Sequence, residues 1–188
     1  MGSTLDVYAI SLERLTQAAG SGDQSLIAAI KTSQGDFLAS VDEINDEAGF
    51  TCAEALAELV NGGISQRELG YLYGYAVKAI CMHLGKELSG AGPFSRISGW
   101  TEEVDASLKA HGIPLAIDDV LYAGSPVRIP EPDDYPFIGH MTPDIVAPTL
   151  AAFQAQPAAA DNEDLLLIRG WLEEAAKIPG GALVSFII

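Results

Sequence analysis

A β-strand is predicted at Leu183-Val184-Ser185-Phe186-Ile187-Ile188, because three of its side chains are β-branched and one is aromatic, and such side chains favour extended backbone. A second β-prone run lies near the other end of the chain, at Val7-Tyr8-Ala9-Ile10-Ser11. Most of the sequence between them carries apolar side chains at helical spacing. Strands at both ends predict that the ends pair in one small sheet covered by helices. The expected fold is therefore α+β, a mostly helical single domain over residues 1–188.

A helical hairpin is predicted in the middle of the chain. Thr51-Cys52-Ala53-Glu54 is a capping-box pattern, in which Thr51 and Glu54 satisfy each other's backbone N–H groups at the start of a helix. That helix is expected to end at Gly62-Gly63. Ser65-Gln66-Arg67-Glu68 is a second such pattern and predicts the start of the longest helix, which should end at Gly85. The short link predicts antiparallel neighbours.

Two long loops and a linker complete the expected domain. Residues 89–99 are rich in glycine, serine and proline, as loops are. Residues 128–141 are predicted to be an extended loop, because Pro130, Pro132 and Pro136 remove backbone donors and fix φ. Residues 156–162 are expected to form an alanine-rich linker.

The charge of the chain limits its partners. The 188 residues include 10 Lys and Arg against 26 Asp and Glu, a formal net charge of −16. Polyphosphate and anionic lipid attract basic surfaces, so nucleic acid and membrane are excluded as expected partners. Hydrophobic residues make up 48% of the sequence, which excludes an intrinsically disordered chain. A basic protein is the partner that this charge would attract.

The acidic residues are concentrated in two windows that contain no Lys or Arg. Residues 32–66 hold seven acids and residues 129–168 hold another seven. If the windows meet in space, they would form a surface for a basic partner. If they lie on opposite faces, a solvated coat is the better interpretation.

A cytoplasmic location is expected. The N-terminal residues lack the basic and apolar regions of a secretory signal, and no apolar run approaches the length of a membrane span. Cys52 and Cys81 fall in helix-like segments and are expected to be small buried hydrophobes. The sequence has no metal-binding cysteine or histidine cluster, so neither a metal nor a cofactor is expected.

Three blocks of sequence resemble a family of uncharacterised bacterial proteins that is common in actinobacteria. The blocks are Tyr73-Gly74-Tyr75-Ala76 with Cys81-Met82-His83-Leu84-Gly85, Gly99-Trp100-Thr101-Glu102-Glu103-Val104-Asp105, and Pro130-Glu131-Pro132-Asp133-Asp134-Tyr135-Pro136-Phe137-Ile138-Gly139-His140. The tail, with Gly170-Trp171-Leu172-Glu173-Glu174-Ala175-Ala176 followed by Ala182-Leu183-Val184-Ser185-Phe186, is distantly similar to the YfbM-like domains of unknown function. The resemblance implies an α+β fold and a bacterial cytoplasmic origin, and it implies no catalytic residues.

The proline-rich segment is the strongest candidate for a partner-binding site. Its prolines stiffen a loop that presents acids with the aromatic side chains of Tyr135 and Phe137 beside them, which lowers the entropy lost on binding. Plain solvated acids are the alternative interpretation of the same loop. The candidate partner-binding residues are Glu131, Asp133, Asp134, Tyr135 and His140 from this segment, and Trp100, Glu102 and Glu103 from a predicted helix start.

Three functions remain open from the sequence. The first is an acidic protein-binding module, most specifically an immunity protein that neutralises a basic toxin. The alternative is a small enzyme or ligand-binding protein that uses the Asp133, Asp134 and His140 region, with Trp100 as a pocket wall. The third is a subunit of an oligomer that has no small ligand. No catalytic motif for nucleotide, hydrolase or metalloprotease chemistry is present, so an enzyme is not favoured.

Overall fold

A computed structural model of the protein describes residues 3–88 and 97–188. The described chain is α+β, as predicted: nine α-helices and a four-stranded antiparallel sheet that includes both terminal strands. The strands are β1 (Leu5–Ser11), β2 (Lys86–Leu88), β3 (Phe137–Met141) and β4 (Gly181–Ile187). The helices are α1 (Leu12–Ala18), α2 (Gln24–Ser33), α3 (Gly35–Ile44), α4 (Cys52–Asn61), α5 (Gly70–Leu84), α6 (Ile97–Ala110), α7 (Ile117–Leu121), α8 (Pro143–Ala155) and α9 (Glu163–Ala176), with 3-10 helices at Asp46–Ala48 and Pro157–Asp161.

The two terminal strands lie side by side at the centre of the sheet, whose strand order is β2-β1-β4-β3. Leu5 of β1 pairs with Ile187 of β4, and the register continues to Ser11 opposite Gly181. Because side chains alternate along a strand, each central strand contributes apolar groups to both faces of the sheet. Both faces are covered by helices, and β4 is buried along its whole length.

A separate hydrophobic core lies on each face of the sheet. The first layer, built from α1–α5, packs on Tyr8 and Phe186, whose rings meet edge to face with centroids 5.9 Å apart. The second layer, built from α6–α9, packs on Leu5, Leu183 and Ile187. Because the sheet separates the two layers, candidate residues on helices of different layers lie on opposite sides of the sheet.

The helical hairpin is present, but its second helix begins later than predicted. The capping box at Thr51 and Glu54 is confirmed, and α4 ends at Gly62 in the left-handed conformation with φ of 77°. The prediction of a second capping box at Ser65 is wrong: α5 begins at Gly70 and its N-cap, Leu69, makes no side-chain cap hydrogen bond. The physical reason is that Ser65 donates to Glu58 instead, from its N–H at 2.9 Å and from its hydroxyl at 2.5 Å.

The loop predictions need three changes. Phe137–Met141, the end of the predicted loop at 128–141, is the edge strand β3. The predicted linker at 156–162 contains the 3-10 helix Pro157–Asp161. The predicted loop at 89–99 lies mostly outside the described residues, and its last three residues belong to α6. In the first two cases a five-residue element begins beside a proline, whose signal dominates the local pattern.

Acid is expected to weaken the link between α4 and α5 at Glu58. Burial alone would raise the pKa of Glu58, but hydrogen bonds from the Ser65 hydroxyl, the Tyr73 hydroxyl and the Ser65 N–H hold that pKa below its ordinary value of 4.5. A lowered pKa in the folded state stabilises the protein above the ordinary pKa, and this contribution disappears as the pH falls through the folded-state value.

We expect Glu58→Gln to lower the free energy of unfolding by about 1 kcal/mol at neutral pH, with a smaller difference from wild type below pH 4.5. Urea unfolding at a series of pH values measures this difference. Glu68→Gln, at an exposed neighbouring position, is the matched control. A difference between wild type and Glu58→Gln that stays constant down to pH 3 would contradict the assignment.

Candidate functional site

Three exposed aromatic rings form a cluster beside the edge strand β3. Tyr122, Tyr135 and Phe137 are 45%, 40% and 36% exposed. Phe137 meets both tyrosines edge to face, with centroid distances of 5.9 Å to Tyr122 and 5.1 Å to Tyr135. The Tyr135 hydroxyl lies 3.1 Å from the hydroxyl of Ser3. We call these three rings with Glu131, Asp133 and Asp134 the aromatic–acidic patch.

The acids of the patch lie on a segment that packs against α5 of the first layer. Gly70 leaves no room for a side chain, because a Cβ there would lie 2.6 Å from the Glu131 carbonyl oxygen. At Gly74 a Cβ would lie 2.9 Å from the Pro136 ring. The side chains of Glu131, Asp133 and Asp134 are exposed. The segment is therefore seated on the helix through its backbone and prolines, and its carboxylates face solvent.

One carboxylate of the patch lies close enough to a tyrosine of α5 to affect its pKa. Burial, and then the Asp134 carboxylate, raises the pKa of Tyr75. The Tyr75 ring lies edge to face with Phe37 of α3, with centroids 6.3 Å apart. Tyr75 therefore links the patch to the helix that carries part of the first acidic window.

His140 lies on β3 and is directed to a backbone partner. Its Nδ1 lies 2.9 Å from the carbonyl oxygen of Gly124, so Nδ1 is the donor. None of the four ion pairs among the described residues involves His140. The Gly124 N–H in turn donates to Ile138 at 2.9 Å, so residues around Gly124 cover part of the strand edge. In this arrangement His140 fixes the edge of the sheet and makes no ion pair with Asp133 or Asp134.

Trp100, Glu102 and Glu103 lie in the second layer, away from the face on which the acids of the patch are seated. All three are on α6. Trp100 packs against the second core, and its indole N–H donates to Asp164 of α9 at 2.9 Å. Glu102 and Glu103 are exposed. Glu131, Asp133, Asp134 and Tyr135 lie together on the segment that is seated against α5. The α6 residues lie in the second layer, which Phe137 also faces because it pairs with Ile187 of the second core.

The two acidic windows share one layer of the fold only in part. Within the second window, Glu131, Asp133 and Asp134 belong to the first layer through their contact with α5. The remaining acids of that window are on or beside α8 and α9 of the second layer: Asp144, Asp161, Glu163 and Asp164. In the first window, Asp42 and Glu54 accept backbone N–H groups at the start of α4. Some of the acids therefore stabilise the start of a helix, as Asp42 and Glu54 do, and others belong to the aromatic–acidic patch.

Neither a metal-binding cluster nor an exposed cysteine is found among the described residues. These residues contain no group of three or more His, Cys, Asp or Glu side chains that could hold a metal ion. Both cysteines are buried, and burial raises the pKa of the Cys52 thiol to about 12. A thiol with such a pKa stays protonated at neutral pH and is a poor nucleophile. In the same part of the chain, no helix combines the length and apolar character required to cross a bilayer.

One member of the patch was not predicted from the sequence. Tyr122 follows α7 directly, fifteen positions from Phe137, and no local pattern connects the two. The sequence shows only that Tyr122 is a large aromatic residue at the end of a short helix. It does not show whether its side chain is buried or exposed.

Comparison with known proteins identifies the family of the chain. No curated protein and no solved structure gives a significant match. A family model described as a domain of unknown function, DUF7691, matches residues 1–187. The chain therefore belongs to the DUF7691 family.

Proposed function

We propose that this protein is a binding module for a basic protein and that the aromatic–acidic patch is its contact surface. The observation that carries the proposal is the exposed ring cluster of Tyr122, Tyr135 and Phe137. Asp133 and Asp134 directly precede Tyr135 in the chain, and the Asp134 carboxylate accepts the Tyr135 N–H at 2.8 Å. Aromatic side chains are enriched at the centres of protein interfaces, where they bury a large area. An isolated ring cluster of this kind on a surface commonly marks an interaction site.

The charge of the chain supports a basic partner. A net charge of −16 exceeds what solubility needs, which is on the order of 2–8 for a small domain. Such a field accelerates association with a cationic protein and disfavours acidic ones. The most specific form of the proposal is a bacterial cytoplasmic immunity protein that neutralises a basic toxin, such as a nuclease.

Charge reversal in the patch is expected to slow association. The change is Asp133→Lys combined with Asp134→Lys, and the matched control is Glu102→Lys combined with Glu103→Lys, which changes the net charge equally on the second layer. The ligand is the purified product of the gene adjacent to this one, and biolayer interferometry measures the rates. We expect the patch variant to lose about tenfold in association rate constant, with the control within about threefold of wild type.

Removal of the rings is expected to speed dissociation instead. Phe137→Ala removes the ring that contacts both tyrosines, so we expect its dissociation rate constant to rise about tenfold or more. Co-expression with the adjacent gene then tests the immunity form, since wild type should protect the cells and Phe137→Ala should not. Absence of a complex with wild type, or equal binding by the patch and control variants, would overturn the proposal.

A further inference from the structure

A cleft of about 920 Å³ opens between the C-terminal ends of α1 and α4 and residues 126–130. Its walls are fixed by backbone contacts: the Gly20 N–H donates to Leu59 at 3.0 Å, and the Gly22 N–H donates to Val60 at 2.8 Å. Gly20 and Gly62 have φ of 77° each, and a Cβ on Gly62 would lie 3.2 Å from the Gly20 Cα. Glycine is therefore required where the helix ends meet, both for its φ and for the close approach.

The charge of this cleft is opposite to that of the chain. Its thirteen lining residues include Arg67 and Arg128 and no Asp or Glu. A second cleft, of about 550 Å³, is lined instead by one lysine and four glutamates. In a protein of net charge −16, a lining with two arginines and no acid is a local reversal that attracts anions.

Both guanidinium groups are available to a ligand. Arg67 and Arg128 are exposed, and neither takes part in any of the four ion pairs of the described residues. Two other polar groups of the lining already donate hydrogen bonds to backbone carbonyl groups of the protein. The Gly62 N–H donates to carbonyl groups of α4, and the Thr16 hydroxyl donates to carbonyl groups of α1 at 3.0 Å. The arginines are thus the principal donors that face the cleft.

We propose that this cleft binds an organic anion whose carboxylate or phosphate group is held by Arg67 and Arg128. A guanidinium presents paired N–H donors that match the oxygens of either group. The apolar part of the ligand would pack on Leu59, Ile64 and Val127, which line the same space. The volume lies within the range of about 300–1,000 Å³ that is usual for small-molecule sites. This site is separate from the aromatic–acidic patch and does not depend on the proposed function.

Titration with three small probes tests the proposal. Phenyl phosphate and benzoate carry the two head groups, and benzyl alcohol is the neutral comparison. Backbone NMR shifts in the wild-type protein should place at least one of the anions beside Gly20 and Gly62. Arg67→Gln and Arg128→Gln should each weaken that binding by about tenfold or more, since each removes a charge-assisted contact.

Arg14→Gln is the matched control, because Arg14 is exposed and lies outside the lining. It should bind the anions within about threefold of wild type, and circular dichroism should show all three variants folded. Binding of one anion but not the other would support the site and identify its head group. The proposal is overturned if neither anion shifts the cleft amides, if benzyl alcohol binds as well as the anions, or if Arg14→Gln weakens binding as much as the cleft variants do.

Discussion

Replacing Asp6 by alanine is expected to destabilise the protein by about 3 kcal/mol, because it leaves a buried ammonium group without its counter-ion. Lys78 lies in α5 and is 4% exposed. Its Nζ lies 2.6 Å from Asp6 Oδ2, and Asp6 is on β1, on the face that packs against the first layer. The ring of Phe37 also lies near this ammonium group, with its centroid 5.2 Å from Nζ. A cation–π contact at that distance offsets only part of the missing ion pair.

Comparison of three variants by urea unfolding separates the buried charge from simple removal of packing. Lys78→Met removes the ammonium and leaves Asp6, which is a quarter exposed and can be hydrated, so its effect should be smaller than that of Asp6→Ala. The double variant should be more stable than Asp6→Ala alone, since no unpaired charge remains. Two results would contradict this role of the Asp6–Lys78 ion pair in holding α5 on the sheet. One is a loss of less than about 1 kcal/mol in the free energy of unfolding of Asp6→Ala. The other is a double variant whose loss equals the sum of the two single losses.

The sequence is sufficient for the elements of this fold whose signals are local, but not for those whose bounds depend on contacts with distant segments. The strands at both ends and the capping box at Thr51 were predicted because their signals are local: β-branched runs, and a side chain three residues from its partner. The start of α5 was wrong because Glu58, rather than Glu68, is the acid to which Ser65 donates. That choice depends on the path of the chain after α4, which no local pattern encodes.

The candidate site was predicted in part for the same reason. The acids and Tyr135 of the proline-rich segment lie close together because they are neighbours in sequence. Nothing in the sequence shows that Trp100 lies in another layer, where its indole N–H donates to Asp164 of α9. Tyr122 joins Phe137 only because α7 packs closely on β3, a contact between segments that sequence periodicity cannot pair.

The packing of α7 on β3 predicts a large effect at Gly139. A Cβ on Gly139 would overlap the carbonyl oxygen of Val120 and lie 2.5 Å from that of Leu121. Both obstacles are backbone atoms of α7, so no side-chain rotation can relieve the overlap, and α7 must move away from β3. We expect Gly139→Ala to lower the free energy of unfolding by about 3 kcal/mol, at the upper end of the usual cost of overpacking.

Gly170→Ala is the matched control, because Gly170 lies within α9 and a Cβ there would meet no atom within 4 Å. Alanine is favoured over glycine inside a helix, so this variant should be more stable than wild type by about 0.5–1 kcal/mol. Urea unfolding measures both variants, and NMR shifts of Tyr122 and Phe137 report whether their rings still pack together. We expect opposite signs for the two variants, with the two rings moved apart in Gly139→Ala and unchanged in Gly170→Ala. Equal effects would mean that the approach of α7 to β3 neither limits stability nor positions the aromatic–acidic patch.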